Sequence, residues 1–285
     1  MQTFQQALRN KDFTLTAELA LDANASRGMI IAQAQTLAAE VDAIQVPDSS
    51  PSYASMSPLA VSAILLQAGI DPILHLNCRD RNRLALRADV LGAVALGISS
   101  LLLMRGKEIP ADVRPKIKSV YDWGTLQLVR FAASLEQANF LIGSIATVFK
   151  PDRDWKPTRL EKKADAGAKF IQTQLCFDAD LLRHYMLRLV AEKMIQRSNV
   201  MVALAPLPSA DMAQWLGKNL RGAVVPAKVV KRLRQASDPQ QEGIDICAEL
   251  LREVTGIPGV AGANLVCLGN PDAVAAAVQR SGVRG

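Results

Sequence analysis

The pattern of apolar and polar positions along the chain predicts eight repeats of a strand followed by a helix. Eight short runs rich in apolar and β-branched residues occur in order, and helical periodicity follows them. The runs are FTLTAEL (13–19), AIQVPD (43–48), DPILHLNC (71–78), SLLLMRG (100–106), NFLIGSIA (139–146), FIQTQLCF (170–177), VMVALAPL (200–207) and GANLVCLG (262–269). Most of them begin roughly 30 residues apart, which is the length of one βαβ unit.

The segments between these runs have the period of helices that cover a sheet. In 27–41, Ile30, Ala34 and Leu37 fall on one face, and 81–97 repeats the same period. The runs themselves are apolar on both faces, which is typical of parallel strands covered by helices. These features predict an α/β protein with a parallel sheet.

Eight such units in about 250 residues favour a closed barrel over an open doubly wound sheet. We therefore predict a (β/α)8 TIM barrel that forms a single domain over residues 1–285. The long interval 208–261 leaves room for extra helices before the last strand.

The predicted strands end in residues that carry chemistry. In (β/α)8 barrels the functional site lies at the C-terminal ends of the strands. Those ends hold a carboxylate, a histidine, an amide and a cationic turn, namely Glu18, His75, Gln174 and Arg105-Gly106-Lys107. Desolvation would raise the pKa of Glu18, as a general acid near neutral pH requires. A glycine lets an anion such as phosphate approach the backbone, so the turn favours an anion site.

Each of these residues also has a structural alternative. Glu18 could pair with a nearby cation, and His75 could be a hydrogen-bonded core histidine. Arg105 and Lys107 could form a solvated turn. Asp48 is interpreted as a cap of the turn through 47–52, outside the catalytic set.

Composition and charge narrow the class of protein. Hydrophobic residues make up 49% and charged residues 21%, and no apolar run reaches about 18 residues, so we expect a soluble globular protein without a membrane span. The formal net charge is +6, which suits an anionic ligand. Only 5% of residues are aromatic and the basic residues are dispersed, which argues against nucleic-acid binding.

The four cysteines indicate reduced thiols rather than a metal site. Cys78, Cys176, Cys247 and Cys267 are scattered and form no CxxC pair, so no metal is predicted. The first 15 residues lack the apolar core of a secretory signal. We therefore expect a cytoplasmic protein.

Longer motifs carry a resemblance to a known family. In order, AELALDA on the first strand, DPILHLNCRDRNR on the third, LLLMRGK on the fourth and KKADAGAKFIQTQLCFD on the sixth resemble the methylenetetrahydrofolate reductase family. The resemblance runs through nearly the whole chain. It implies a (β/α)8 barrel that binds FAD and passes a hydride from NADH or NADPH to 5,10-methylenetetrahydrofolate, giving 5-methyltetrahydrofolate.

The resemblance also implies roles for individual residues. Glu18 matches the acid that protonates the folate as its methylene bridge opens, and Gln174 matches a glutamine that hydrogen-bonds the folate. Lys107 is expected on the substrate side, where it would pair with a phosphate, a folate glutamyl carboxylate or Glu18 itself. The expected flavin-binding residues are His75, Arg105, Gly106, Tyr121, Ser144 and Lys163.

The chain departs from the family pattern at several flavin positions. The fourth strand of the family ends Arg-Gly-Asp, whereas Lys107 reverses that charge here. Ala146 and Lys150 stand where the family has a flavin-contacting tyrosine and histidine. A cation near N1 of the flavin would stabilise its anionic reduced form. The same changes are compatible with a barrel that holds no flavin.

Three hypotheses therefore stay open. The first is a reductase that uses FAD, and the second is a reductase in which the nicotinamide hands its hydride directly to the folate. The third is a folate- or flavin-binding subunit that works with a redox or methyltransferase partner. A homo-oligomer is compatible with all three.

Overall fold

The computed structural model describes residues 3–48, 54–109 and 116–284. The strands are β1 (Thr14–Glu18), β2 (Ala43–Val46), β3 (Pro72–Asn77), β4 (Ser100–Met104), β5 (Leu141–Ala146), β6 (Phe170–Leu175), β7 (Asn199–Leu204) and β8 (Val260–Val266). The helices are α1 (Phe4–Asn10), α2 (Arg27–Ala38), α3 (Pro58–Gln67), α4 (Arg83–Leu96), α5 (Thr125–Ser134), α6 (Thr158–Asp165), α7 (Ala179–Ala191), α8 (Ala210–Asn219), α9 (Ala227–Gln235), α10 (Pro239–Thr255) and α11 (Pro271–Ser281). Short 3-10 turns cover Glu136–Ala138 and Met194–Gln196.

The strands close into a parallel barrel in chain order. Each strand pairs with the next, and β1 pairs with β8, with Thr14 opposite Gly262 and Glu18 opposite Val266. Every strand overlaps the run that predicted it, so the (β/α)8 prediction is confirmed. Three helices, α8 to α10, lie between β7 and β8, which confirms the extra helices before the last strand.

Polar side chains fix the points at which the covering helices begin. Ser26, Ser57, Asn82, Asp178 and Ser209 each accept a hydrogen bond from the backbone N–H three residues on. Each bond satisfies one of the N–H groups that a helix leaves unpaired in its first turn. The loops from strand to helix are thereby fixed at the C-terminal end of the barrel.

Apolar side chains fill the barrel interior at its N-terminal end. Phe4 of α1 is fully buried there and packs edge-on against Phe170, with 5.2 Å between the ring centroids. The Phe4 N–H donates to a carboxylate oxygen of Asp71 over 2.7 Å. A Cβ at Gly143 would lie 2.1 Å from the Phe170 ring, so the strand needs glycine there. Within the part of the chain that the structure describes, the N-terminal end of the interior is therefore filled by side chains.

One carboxylate ties the two ends of the chain to the barrel. Asp42, just before β2, accepts hydrogen bonds from Lys11, from Arg284 and, over 2.9 Å, from the backbone N–H of Leu15. Burial alone would raise the pKa of Asp42, but these hydrogen bonds outweigh it and hold the pKa below its usual value. Asp42 therefore contributes to stability in its ionised form.

The structure also bears on the cysteines, on membrane-spanning helices and on metal ligands. All four cysteines are buried free thiols. Across 3–48, 54–109 and 116–284, no helix is both long and apolar enough to cross a membrane. The same ranges hold no group of three or more His, Cys, Asp or Glu side chains that would ligate a metal.

Candidate active site

A cavity of about 690 Å³ opens at the C-terminal end of the barrel. Four of the predicted site residues line it from three strands and one loop, namely Glu18, His75, Lys107 and Gln174, together with the backbone of Gly106. Residues far apart in the sequence thus line one cavity. Its volume lies in the range of about 300–1,000 Å³ in which proteins bury a drug-sized ligand.

Glu18, the last residue of β1, is the acid of this cavity. Burial raises the pKa of its carboxyl to about 7, although the charge of Lys107 and the side-chain amide of Asn264 both lower it. Near neutral pH the carboxyl is therefore divided between its protonated and ionised forms. That property lets it deliver a proton and recover one at physiological pH.

Lys107 brings a cation to the same cavity. Its backbone carbonyl accepts hydrogen bonds from Nη1 of Arg79 over 3.2 Å and from the Tyr121 hydroxyl over 3.4 Å. Burial lowers the pKa of the Lys107 ammonium, and attraction to Glu18 opposes that effect. Of the three partners considered for Lys107, Glu18 is therefore the one that the protein itself supplies.

The glycine before Lys107 is required by packing. Gly106 has a φ of 89°, and a Cβ there would lie 2.9 Å from both the Arg79 Cβ and the Asn77 Oδ1. The loop after β4 thus lies directly on the end of β3. We predicted that this glycine would let a phosphate approach the backbone, whereas the space beside it is occupied by Asn77 and Arg79.

His75 reaches the cavity as a neutral side chain. Its Nε2 lies 2.9 Å from the Gln45 Oε1, and burial lowers the pKa of the ring to about 3. An amide oxygen only accepts hydrogen bonds, so Nε2 carries the hydrogen. His75 therefore combines the core role considered for it with a place in the cavity wall.

A layer of buried polar side chains lies beneath the cavity, and we refer to it as the polar floor. It consists of Thr16, Gln45, His75, Gln172 and Asn264. Gln45 Nε2 donates to Gln172 Oε1 over 2.6 Å and to Thr16 Oγ1 over 2.9 Å. Thr16 Oγ1 in turn donates to Asn264 Oδ1 over 2.9 Å.

Four of the five residues of the polar floor, all except His75, were not predicted from the sequence. Their signal is a polar residue at an inward-facing position of a strand that is otherwise apolar. On β1, for example, Thr14, Thr16 and Glu18 alternate with Leu15 and Ala17. Alternation of this kind predicts a polar barrel interior rather than a wholly apolar one.

Arg105 and Tyr121 do not line the cavity. The Arg105 guanidinium lies over the Tyr121 ring, 4.3 Å from its centroid, and 3.8 Å from a carboxylate oxygen of Glu108. Arg105 is exposed to solvent. The two predicted flavin contacts thus form a cation–π pair on the outer side of the loop.

Ser144 and Lys163 are also occupied outside the cavity. The Ser144 hydroxyl is fully buried and donates to the Leu103 carbonyl over 3.1 Å. Lys163 donates its ammonium to the Ile145 carbonyl, and burial lowers the pKa of that ammonium. The structure therefore gives both residues a role in holding the barrel wall.

Asp48 has a larger structural role than the turn cap that we predicted. Its carboxylate accepts from the Asn77 backbone N–H over 2.7 Å and takes two hydrogen bonds from Arg81, over 2.7 and 3.0 Å. It thereby joins the end of β2 to β3 and to the loop that follows β3. Residues 49–52 of the predicted turn lie outside the described residues.

The mouth of the cavity has an apolar rim that the sequence analysis did not identify. Met29 of α2 is 55% exposed and Trp215 of α8 is 58% exposed, yet both line the cavity. Leu216 and Leu220 continue the same wall. A large exposed aromatic side chain at a cavity mouth is suited to contact with a flat ring of a ligand.

Comparison with known proteins gives one family, one sequence relative and one solved structure of similar fold. Residues 3–282 match the sequence profile described as Methylenetetrahydrofolate reductase. A protein of Caenorhabditis elegans named "Probable methylenetetrahydrofolate reductase (NADPH)" is 27% identical over an alignment 148 residues long, and the match covers 49% of this chain and 21% of that protein. The alignment thus covers about a fifth of that relative's length.

A solved structure has a similar fold. It is described as an uncharacterized protein from Clostridium thermocellum that binds two copies of 5-methyl-5,6,7,8-tetrahydrofolic acid. The TM-score is 0.68 at 12% sequence identity, and the superposition covers 97% of this chain and 96% of that one. At this identity the likeness supports the barrel fold alone.

Proposed function

Because the chain belongs to the methylenetetrahydrofolate reductase family, we propose that it reduces 5,10-methylenetetrahydrofolate to 5-methyltetrahydrofolate, with Glu18 as the general acid. The observation that carries the proposal is the half-buried Glu18, the pKa of whose carboxyl is raised to about 7, in the wall of a ligand-sized cavity. The folate ligand named for the Clostridium thermocellum structure supports the choice of substrate class.

In the proposed reaction Glu18 transfers one proton. Its protonated carboxyl gives a proton to N10 of the folate as the bond from N10 to the bridging methylene carbon breaks. The methylene carbon remains on N5 as an iminium, and a hydride added to that carbon completes the methyl group. Glu18 then recovers its proton from water, so one hydride and one proton are consumed in each turnover.

The cavity supplies groups suited to each part of a folate. The Gln174 amide donates and accepts hydrogen bonds, as a pterin edge requires. Lys107 offers a cation for a glutamyl carboxylate, and the exposed ring of Trp215 offers a surface for the aminobenzoyl group. In this arrangement the reacting methylene bridge lies beside Glu18.

Within the described residues, the positions predicted to contact a flavin do not come together as a diphosphate site for FAD. Of the six positions predicted to contact a flavin, only His75 and Gly106 line the cavity. Arg105 and Lys163, the cations expected near such a cofactor, are engaged with Tyr121 and with a backbone carbonyl. We therefore propose that the hydride passes directly from NADH or NADPH to the folate.

Hydride transfer through FAD is the second candidate, because family membership favours it. An absorption spectrum of the purified protein, before and after incubation with FAD, separates the two routes. A colourless protein that oxidises NADH or NADPH only when methylenetetrahydrofolate is present supports direct transfer. A bound flavin band together with activity that requires FAD contradicts it and supports the second candidate.

Replacement of Glu18 tests the acid itself. Glu18→Gln keeps the shape of the side chain but removes the proton donor, so kcat is expected to fall by about 10²-fold or more. Glu136→Gln is the matched control, because Glu136 is exposed and precedes β5 at the other end of the barrel. Full activity in Glu18→Gln would remove the proposed mechanism. Activity that appears only with a second, co-purified protein would instead favour a subunit of a larger enzyme.

A further inference from the structure

The polar floor ends beside Glu18 in an amide with unused hydrogen-bonding capacity. Asn264 on β8 is fully buried, and the strand register places it opposite Thr16, two residues before Glu18 on the inward face of β1. Its Oδ1 accepts from the Thr16 hydroxyl. Its Nδ2 makes no hydrogen bond of ordinary geometry to any residue in the described ranges. Such a donor is costly to bury unless a nearby group uses it.

The hydrogen bonds behind Asn264 all run in one direction. His75 Nε2 donates to Gln45 Oε1 over 2.9 Å, and Gln45 Nε2 donates to Thr16 Oγ1 over 2.9 Å. The Thr16 hydroxyl donates to Asn264 Oδ1 over 2.9 Å. Hydrogen bonds in a chain of this kind polarise one another. Gln45 accepts through its oxygen and donates through its nitrogen, so the dipoles of this chain add toward Asn264, whose Nδ2 is the end left without a partner.

We propose that Asn264 is a positioning residue for Glu18, whose carboxyl it orients through an amide held in place by Thr16 and the hydrogen-bond chain behind it. The functional meaning of this inference rests on the proposed role of Glu18 as the acid. The effect on the carboxyl itself is a property of the ligand-free protein.

The electrostatics agree with this geometry. Burial raises the pKa of Glu18, and Lys107 and the Asn264 amide lower it, which keeps the carboxyl able to ionise after it has given up its proton. Cys267 also interacts with Glu18 from the end of β8. Among the described residues, the other titratable or charged groups that line the cavity are Asp22, Asp48, His75 and Arg79. The variants described next change none of them.

Two isosteric substitutions on one strand provide a matched test. Thr16→Val removes the hydroxyl that orients Asn264, whereas Thr16→Ser keeps it. Thr14→Val is the control, because the buried Thr14 hydroxyl makes no hydrogen bond within the described residues. The pKa of Glu18 is measured in the ligand-free protein by infrared titration of its carboxyl stretch, which is assigned by its loss in Glu18→Gln.

Removal of the amide should have the largest effect. Asn264→Leu is expected to raise the pKa of Glu18 by about one unit, the size of one hydrogen bond to a charged group. Thr16→Val is expected to give a smaller rise, while Thr16→Ser and Thr14→Val give the wild-type value. If Asn264→Leu does not fold, the comparison of Thr16→Val with Thr16→Ser and Thr14→Val decides the question.

The outcomes separate this inference from the proposed function. Equal pKa values for Glu18 in Thr16→Val, Thr14→Val and wild type would overturn the role of Asn264, whatever the activity. A pKa that shifts as expected in a protein without reductase activity supports the role of Asn264 and removes the proposed reaction.

Discussion

Glu18→Gln offers a test of the raised pKa through stability rather than turnover. The Glu18 carboxyl ionises near 4.5 in the unfolded chain and near 7 in the folded barrel, where burial favours the neutral form. Between these values the folded state holds a proton that the unfolded state has lost. The contribution of Glu18 to the stability of the wild type therefore falls as the pH rises from 4.5 to about 7, above which the carboxyl is ionised in both states.

The size of this effect follows from the shift. At about 1.36 kcal/mol per pKa unit, a rise from 4.5 to about 7 corresponds to an upper value of about 3 kcal/mol. Solvent in the open cavity reduces this to roughly 2–3 kcal/mol. Glutamine stays neutral in both states, so the gain in unfolding free energy on substitution should be small near pH 5 and reach this value near pH 8.

Equilibrium unfolding in urea at the two pH values measures this difference. Titrating groups that do not interact with Glu18 contribute equally in both proteins, so they cancel in the comparison. The difference that remains includes the attraction between Glu18 and Lys107. Glu136→Gln removes the same charge from an exposed site and should change the unfolding free energy equally at both pH values. If Glu18→Gln also gave the same difference at both, the carboxyl would ionise as in the unfolded chain. The proposed acid would then be fully ionised at neutral pH.

Three further substitutions test the parts that support the site. Phe4→Ala empties the closed end of the barrel and should lower the unfolding free energy by roughly 3–5 kcal/mol, while Phe4→Leu should recover much of the loss. Gly106→Ala introduces strain at a φ of 89°. It should cost roughly 1–3 kcal/mol and weaken 5-methyltetrahydrofolate binding in calorimetry, because the loop that carries Lys107 is displaced. Asp42→Asn should lower the unfolding free energy by roughly 1–3 kcal/mol near pH 7. Because the pKa of Asp42 is lowered in the folded protein, its contribution to stability is fully present above the unfolded pKa of 3.8. That contribution is lost as the pH falls through the folded pKa. If Asp42→Asn lowered the unfolding free energy equally near pH 3, the ionised carboxylate of Asp42 would not be the stabilising form.

The fold followed from local patterns because each strand of a parallel barrel is buried on both faces. The run at 13–19 contains β1, and the run at 71–78 contains β3, with differences of a residue or two at their ends. The last strand shows the limit of this approach. It begins at Val260, two residues before the predicted run, because pairing with β7 and β1 rather than composition sets its start.

The sequence predicted which residues lie at the ends of the strands, but not which side of the barrel wall each residue faces. Parallel strands of a barrel bring their carboxyl ends to one rim, and this places Glu18, His75 and Gln174 around one cavity. Which side of the wall a residue faces depends on its position along the strand, since successive side chains alternate. Gly143 and Ile145 face the interior, so Ser144 between them faces the helices. Attention to this alternation would have removed Ser144 from the expected flavin contacts.

The interior of the barrel changes from apolar to polar toward the cavity. The apolar half stabilises the fold, whereas the polar half sets the surroundings of Glu18. The lower half buries Phe4 and Phe170 and gains stability from apolar contact. The polar floor gains little stability by comparison, because each buried amide and hydroxyl must first recover the hydrogen bonds it made to water. A wholly apolar floor would leave the burial of Glu18 opposed by Lys107 alone, and its pKa would rise further above neutrality. The hydrogen-bonded floor and the glycine that places the Lys107 loop against β3 are thus two separate means of keeping this carboxyl close to the pH at which an acid must both release and regain a proton.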